Sequence, residues 1–444
     1  MTESKKKKGI EPGIVCFLFS TRYWEEEEIL QAFEESKQAF VHPSYPVDSI
    51  DFHLITDENG FEGFMAQYKG KGVVLVPMSG GVQPWMLRIG RLARFVVLVN
   101  GCYQNFFSDE IRYKVIEKNA SPAMTDTYAV LKRMGVKTYF VNTREEAMRY
   151  LKTKEVLNLL RKSVILSAGE PEPWVLSSVR SGKRIEDKFG ITVKTLSLDE
   201  IEELYKSGDD VKAKIYADAW LEKANALIEP NEEDVRNAAK LQSIFIELLQ
   251  QYEADCFCTK CFELIGRINT TACLALSFLN SSAVWCGACE GDLDSAVSLL
   301  VMRKLTGKNP WMANPIVMEK DKLILSHCSA PVTEEGPLPL TLRSHHESGK
   351  GVSTEVSFPL QKTVTLMRIG NHMESIQYFT GIAEKIPDIR TCRTRLQIQV
   401  EGLEDRMSEI LGCHFTLVYG DFTKELSVFA KLADLHDISY IKKK

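Results

Sequence analysis

The chain is 444 residues long, 44% hydrophobic and 26% charged, with a formal charge of -5. At about 150 residues per domain that length predicts roughly three domains, and an ordinary composition with a small negative charge argues against a nucleic-acid or anionic-membrane surface as its main business. No apolar run reaches the roughly 20 residues that cross a bilayer and none resembles a secretory signal, so the expected setting is cytoplasmic.

Short β-rich runs alternate with helical ones in the first part of the chain. Residues 14–19 predict a strand, 25–40 a helix with Thr21 as its cap, 72–77 a strand, 83–92 a helix, and 95–100 and 136–142 two more strands. Ser79-Gly80-Gly81 reads as a turn, since it lacks a full phosphate-loop pattern. These segments make an N-terminal α/β domain over residues 10–162. A second α/β domain, 163–315, restarts the alternation with a strand at 164–167, the turn Gly169-Glu170-Pro171-Glu172-Pro173, a strand at 191–196 and a helix at 198–206. Helical spacing follows over 209–253, and a buried strand begins at Cys256. From 316 to 444 period-two alternation takes over, as in Leu396, Ile398 and Val400 set between Arg395, Gln397 and Gln399. Strands at 352–358, 363–369, 394–401 and 415–419 predict an antiparallel sheet or barrel closed by a helix at 422–435. The basic tails, Lys5 to Lys8 and Lys442 to Lys444, read as solvated ends.

Chemistry concentrates between Trp285 and Pro331. Three successive chain reversals deliver a carboxylate (Glu290), a carboxamide (Asn314) and an imidazole (His327), the makings of a divalent-metal pocket. Glu290 follows a short apolar run and precedes a helical pattern (Ala296, Leu299, Leu300, Met302, Leu305) that stops at Thr306-Gly307. It therefore sits at a strand-to-helix turn, where sites in open α/β sheets lie. Partial desolvation there is expected to tune its pKa upward toward a base's range. Asp292 and Asp294 are expected to cap the following helix. His414, in LGCHFTLVYGD, stands at the mouth of a strand, and of His345-His346 at most one faces a pocket if the segment is extended. Oxygen ligands with imidazoles select Mn²⁺-like or Mg²⁺-like ions. The eleven cysteines lie mostly in apolar segments and suit reduced, buried thiols. A rival reading gathers Cys256, Cys258 and Cys261 with Cys286 and Cys289 into a zinc site.

The run Cys289-Glu290-Gly291-Asp292, leading to Leu305-Thr306-Gly307, Trp311-Met312-Ala313-Asn314 and Ser326-His327-Cys328, resembles the metal-site region of the L-fucose and L-arabinose isomerase superfamily. Leu342-Arg343-Ser344-His345-His346-Glu347-Ser348-Gly349, Cys392-Arg393-Thr394 and Gly412-Cys413-His414 extend the match toward a divergent branch. The resemblance implies two doubly wound parallel-sheet α/β domains followed by a C-terminal antiparallel β-barrel-like domain. The site would lie between the second and third, near a subunit interface of a homo-oligomer. It implies a metal-dependent ketol isomerase acting on a small-molecule sugar through an enediol, with Mn²⁺ or another divalent cation such as Mg²⁺ or Co²⁺, and neither nucleic acid nor membrane as partner. By motif, Glu290 is metal ligand and acid/base, Asn314, His327 and His414 complete the metal set, and His345, His346 and Glu347 fall on the substrate side. The family's second acidic residue falls at Asn314, whose carboxamide cannot accept a proton at neutral pH. Either Asp292, Glu319, Asp321 or Glu347 replaces it, or Glu290 works alone with a metal-bound water, or this branch no longer isomerises sugars. Two alternatives remain open, a silent sugar-binding relative and a cysteine-ligated zinc protein.

Overall fold

Continuous runs of Val, Leu, Ile and Phe at the start of the chain give β1 (Gly13–Leu18), β2 (Ile50–Ile55), β3 (Val73–Pro77), β4 (Val96–Val99) and β5 (Thr138–Val141), paired in parallel in the order β2-β1-β3-β4-β5. A parallel sheet needs such runs because helices cover its faces. Cys16, Leu18, Leu75 and Leu98 pack against Phe61, Met86, Ile89 and Leu131. The computed structural model describes residues 12–41, 50–387 and 389–439, so both basic tails lie outside the described residues. The described residues up to Asn158 form one compact unit and those from Leu159 onward a second.

Most expected elements form within a residue or two of their predicted ends. The helix expected over 83–92 is Gln83–Leu92, and that over 25–40 is Glu26–Lys37 followed by the 3-10 turn Gln38–Phe40. Thr21 does not cap it. Glu25 holds the cap position without a side-chain bond, and Glu26, Glu27 and Glu28 in the first turn offset the exposed N–H dipoles instead.

The second unit begins with β6 (Val164–Ala168) and β7 (Thr192–Leu196). The helical stretch expected over 209–253 is split in two, Asp210–Lys223 and Glu232–Gln251, with β8 (Ala226–Leu227) between them. Pro230 precedes the break's end, and Asn231 restarts the helix with a reciprocal cap to Asp234. Then come β9 (Cys256–Thr259) and β10 (Cys286–Ala288), and the sheet order β10-β9-β6-β7 is parallel throughout.

The chain next lays down β11 (Trp311–Glu319), β12 (Lys322–His327), β13 (Leu340–Arg343), β14 (Ser353–Val356), β15 (Thr363–Gly370), β16 (Ser375–Glu384), β17 (Thr394–Gln399), β18 (Phe415–Tyr419) and β19 (His436–Asp437). Strands β15-β18-β11-β12-β17-β16 are antiparallel neighbours, and β16 pairs back onto β15. This closes a six-stranded barrel, which leaves none of those strands as a free edge. Trp311, Leu323, Leu325, Leu366, Phe379, Leu396, Ile398 and Leu417 fill it. The protein is thus an α/β chain with two parallel doubly wound sheets and a C-terminal antiparallel barrel. β16 escapes a period-two reading because its first five residues are all buried. No helix among the described residues is long and apolar enough to cross a membrane.

Candidate active site

The short strand β10 ends at Ala288, and the chain turns at once into the helix Leu293–Thr306. Two consecutive left-handed residues make that turn, Glu290 at φ 57° and Gly291 at φ 64°. Gly291 is obligatory, because a Cβ there would lie 2.6 Å from the Glu170 carbonyl oxygen. Glu290, which is not glycine, carries backbone strain of the sort that collects at functional sites. The proline-punctuated loop after β6 supports it. Glu172 N–H donates to the Glu290 carbonyl at 2.9 Å, and Gly291 N–H donates to the carbonyl of Thr259 at the end of β9 at 2.8 Å.

The Glu290 carboxylate faces two imidazoles. Its Oε2 accepts from the Trp174 indole at 2.9 Å, while Oε1 lies 3.4 Å from His414 Nε2 and 3.8 Å from His327 Nε2. Ligand atoms from these three residues all lie within 4.8 Å of one another, in a group that could hold a metal ion. His327 closes β12 and His414 immediately precedes β18, so barrel closure brings them together with their ring centroids 5.6 Å apart. Behind them the rings are fixed. His327 Nδ1 meets the Ser329 hydroxyl at 2.9 Å, and His414 Nδ1 meets Asp292 Oδ2 at 2.8 Å. Such partners orient ligand histidines and set which nitrogen faces the ion.

Asp292 is fully buried, and Arg368, from the middle of β15 and 1% exposed, shares it. Arg368 Nη1 donates to Asp292 Oδ2 at 3.0 Å and to the His414 carbonyl at 3.0 Å. Burial works to raise the Asp292 pKa, yet the Arg368 charge and the His414 hydrogen bond hold it well below the ordinary range. Burial would lower His414, and its contacts with Asp292, Cys413 and Glu290 instead raise it well above the usual imidazole value. His327 is lowered, chiefly by burial. Glu290 departs from the sequence expectation of an upward shift. Burial does push it up, but the neighbouring His327 and His414 rings overcome that and hold it well below the ordinary carboxylate range.

Glu290 and His327 open on a cavity of about 470 Å³ lined also by Trp174, Asn314, His345 and Glu347. Asn314, paired with Ser326 across β11 and β12, donates its amide to the Cys413 carbonyl at 3.2 Å. Of the four acidic substitutes considered for the family's missing base, only Glu347 lines the cavity. Asp292 sits behind His414, while Glu319 and Asp321 lie at the β11–β12 turn, where Asp321 accepts from Gly402 N–H. Burial and the nearby Glu290 charge raise the Glu347 pKa. His345 shares its wall, but His346 falls in a neighbouring cavity of about 420 Å³ with Arg343, Arg390, Arg393 and Arg395. Thr391 borders both cavities.

The structure thus brings Glu290, His327 and His414 together, with Asn314, His345 and Glu347 around them, and separates His346. Asp292 does cap the helix as expected, accepting from Ser295 N–H at 3.1 Å, whereas Asp294 instead accepts from Val179 N–H at 3.0 Å. The zinc grouping of Cys256, Cys258, Cys261, Cys286 and Cys289 does not assemble. Cys256 and Cys286 are register partners inside the parallel sheet, and none of the five joins a three-ligand cluster among the described residues. Sequence reading missed Trp174 and Arg368. Arg368 left a trace, a lone cation inside the apolar run Leu366-Met367-Arg368-Ile369, whereas nothing local ties Trp174 to Glu290.

No family model matches the chain. Two curated proteins, from Priestia aryabhattai and Priestia megaterium (strain ATCC 12872 / QMB1551), are each 22% identical to it over 317 residues, 67% of this chain and 69% of theirs. Both are sulfoquinovose isomerases. A third sulfoquinovose isomerase, from Clostridium sp. (strain MSTE9), is 21% identical over 271 residues, 56% of this chain and 58% of its own. This chain is therefore similar to sugar isomerases over the greater part of its length.

Proposed function

We propose that this protein is a divalent-metal-dependent aldose–ketose isomerase acting on a monosaccharide that carries an acidic substituent. The observation that carries the reading is the convergence of Glu290, His327 and His414, the first two of which line a sugar-sized cavity, in a chain similar to sulfoquinovose isomerases. A hard cation fits the donor set, one carboxylate oxygen and two oriented imidazoles. Among the described residues the buried His414 Nε2 has no hydrogen-bond partner, Glu290 Oε1 standing 3.4 Å from it. When bound, Mn²⁺ or a similar ion would stabilise the negative charge that develops on the sugar oxygens as the enediol forms.

The remaining chemistry belongs to the chain. Moving a proton between adjacent sugar carbons needs one group that accepts it and one that can supply a proton to oxygen. Glu290, held ionised, and Glu347, with its pKa raised, are two cavity carboxyls whose environments push them apart, the pattern expected of an acid/base pair. Trp174, 55% exposed and edge-on to Phe262, offers a ring face to a sugar's C–H groups and fixes Glu290 through its indole N–H. The adjoining arginine cavity supports the acidic substituent. Arg343 pairs with Glu229 and Glu355, Arg393 with Glu229, and Arg395 with Glu355, so together with Arg390 the arginines outnumber these carboxylates. Homo-oligomerisation is part of the same reading and is measured by analytical ultracentrifugation.

The test is solvent exchange. Wild-type protein with Mn²⁺ and sulfoquinovose in D₂O is expected to incorporate deuterium at C1 or C2 faster than with unsubstituted aldoses. Glu290→Gln and Glu347→Gln are each expected to lower the rate by roughly 10²–10⁴. Binding without exchange across the whole panel would replace this reading with that of a silent sugar-binding relative.

A further inference from the structure

The wall of the cavity opposite in chemistry to the carboxylates is made of sulfur. Cys261, Cys289, Cys328 and Cys392 all line it. Cys273, the first residue of the helix Cys273–Ser281, reaches the same region from behind. Its Sγ lies 3.1 Å from that of Cys328, which follows His327 at the end of β12. His345, in the turn after β13, brings a ring nitrogen to the pair, and ligand atoms of Cys273, Cys328 and His345 all lie within 4.8 Å of one another. None of the three is more than 3% exposed.

We propose that Cys273, Cys328 and His345 form a second metal centre, a thiolate–imidazole site for Zn²⁺ or a comparably soft divalent cation, separate from the hard-ion cluster at Glu290. Two thiolates and a neutral imidazole cancel a dipositive charge, which a buried position requires. The donors come from a helix start, a strand end and a turn, so their meeting is imposed by the tertiary fold rather than by a local motif. The imidazole is also held in place. His345 Nδ1 meets the Ser348 hydroxyl at 3.0 Å and accepts from the Ser348 N–H at 3.3 Å, which fixes the ring. Three protein ligands leave a fourth position, and here it can be filled from either side. Cys392 lines the same cavity as Cys328, and the cavity itself admits water or a ligand oxygen. Thiolates select against Mn²⁺ and Mg²⁺, so two cations would sort themselves between the clusters by ligand softness. Cys256 and Cys258, by contrast, are fully buried in the sheet and do not line the cavity.

The experiment is a Co²⁺ titration of the full chain, purified reduced and stripped with chelator, followed in the near ultraviolet where thiolate-to-cobalt charge transfer absorbs. A band that saturates by two equivalents is expected, since the Glu290 cluster also accepts cobalt. It should disappear in the Cys273→Ser/Cys328→Ser variant, need at least about tenfold more cobalt in His345→Gln, and persist in Glu290→Gln. Two serines in a packed interior can unfold the chain, so a second readout uses wild-type protein alone, in which Zn²⁺ should protect at least two thiols from alkylation. Absence of the band together with absence of protection overturns the proposal, as does a band that neither cysteine nor histidine substitution alters. Solvent exchange by the Glu290 site is scored separately, so failure of either reading leaves the other measurable.

Discussion

Asp292 does more for the candidate site than its neighbour Glu290, although it never reaches the cavity. It caps a helix, neutralises a buried arginine and orients His414, and each task uses a different contact. Replacing it with asparagine keeps the shape but leaves Arg368 without its closest anion. Removing one partner of a buried ion pair costs about 3–5 kcal/mol, and losing the carboxylate behind a ligand histidine costs roughly 10–100-fold in metal affinity. Asp292→Asn is therefore expected to lower the thermal midpoint and weaken Mn²⁺ binding together, as read by calorimetry. Weakened metal binding with unchanged stability would contradict the assignment of Arg368 to this carboxylate. Gly412 belongs to the same small network, since a Cβ there would lie 2.4 Å from Arg368 Nε.

Among the elements, the helix Leu293–Thr306 carries the largest electrostatic load, because it is buried along nearly its whole length and starts with two acids. Asp294 is the less comfortable of them. Burial drives its carboxyl up to about 7, Arg368 opposes this at 3.7 Å, and Asp292 adds to it. In the unfolded chain the same group ionises near its ordinary value of 3.8. Below that pH it is protonated in both states and costs nothing. As pH rises toward 7 the unfolded state releases its proton first, so stability falls across that window by on the order of a few kcal/mol and then levels off. Asp294→Asn removes the titration while keeping an oxygen for Val179 N–H. Its thermal midpoint relative to wild type is expected to rise from pH 4 to pH 7 and to stay flat above. Parallel profiles for the two proteins would mean that Asp294 is ionised in the folded state.

At the scale of the whole molecule, the chain divides into two units that each enclose a core of their own. Every residue of the candidate site, from Trp174 to His414, belongs to the unit that begins at Leu159. Separate cores favour separate unfolding. Two transitions are expected in denaturant, and Mn²⁺ is expected to move only the one that reports the second unit, by mass action on the folded state. A single transition shifted as a whole would show that the units unfold together.

Composition and periodicity determined the α/β character, the change from helical to period-two grammar in the C-terminal third, and the strand-to-helix turn that presents Glu290. All of these are set by neighbours a few residues apart, which is the range over which side-chain alternation and capping act. The residues themselves singled out Asn314, His327 and His414, and resemblance gave them their metal-site roles by motif. Tertiary structure alone decided the rest. It selected Glu347 over Asp292, Glu319 and Asp321 as the acid facing the cavity, sent His346 to a different cavity from His345, and left the rival five-cysteine grouping apart while bringing Cys273, Cys328 and His345 together. It also reversed the expected pKa shift of Glu290. The reason is common to all of these. Barrel closure fixes which strand ends meet, and a carboxyl's pKa or a thiol's partner depends on charges and atoms within a few ångströms, whatever their separation along the chain.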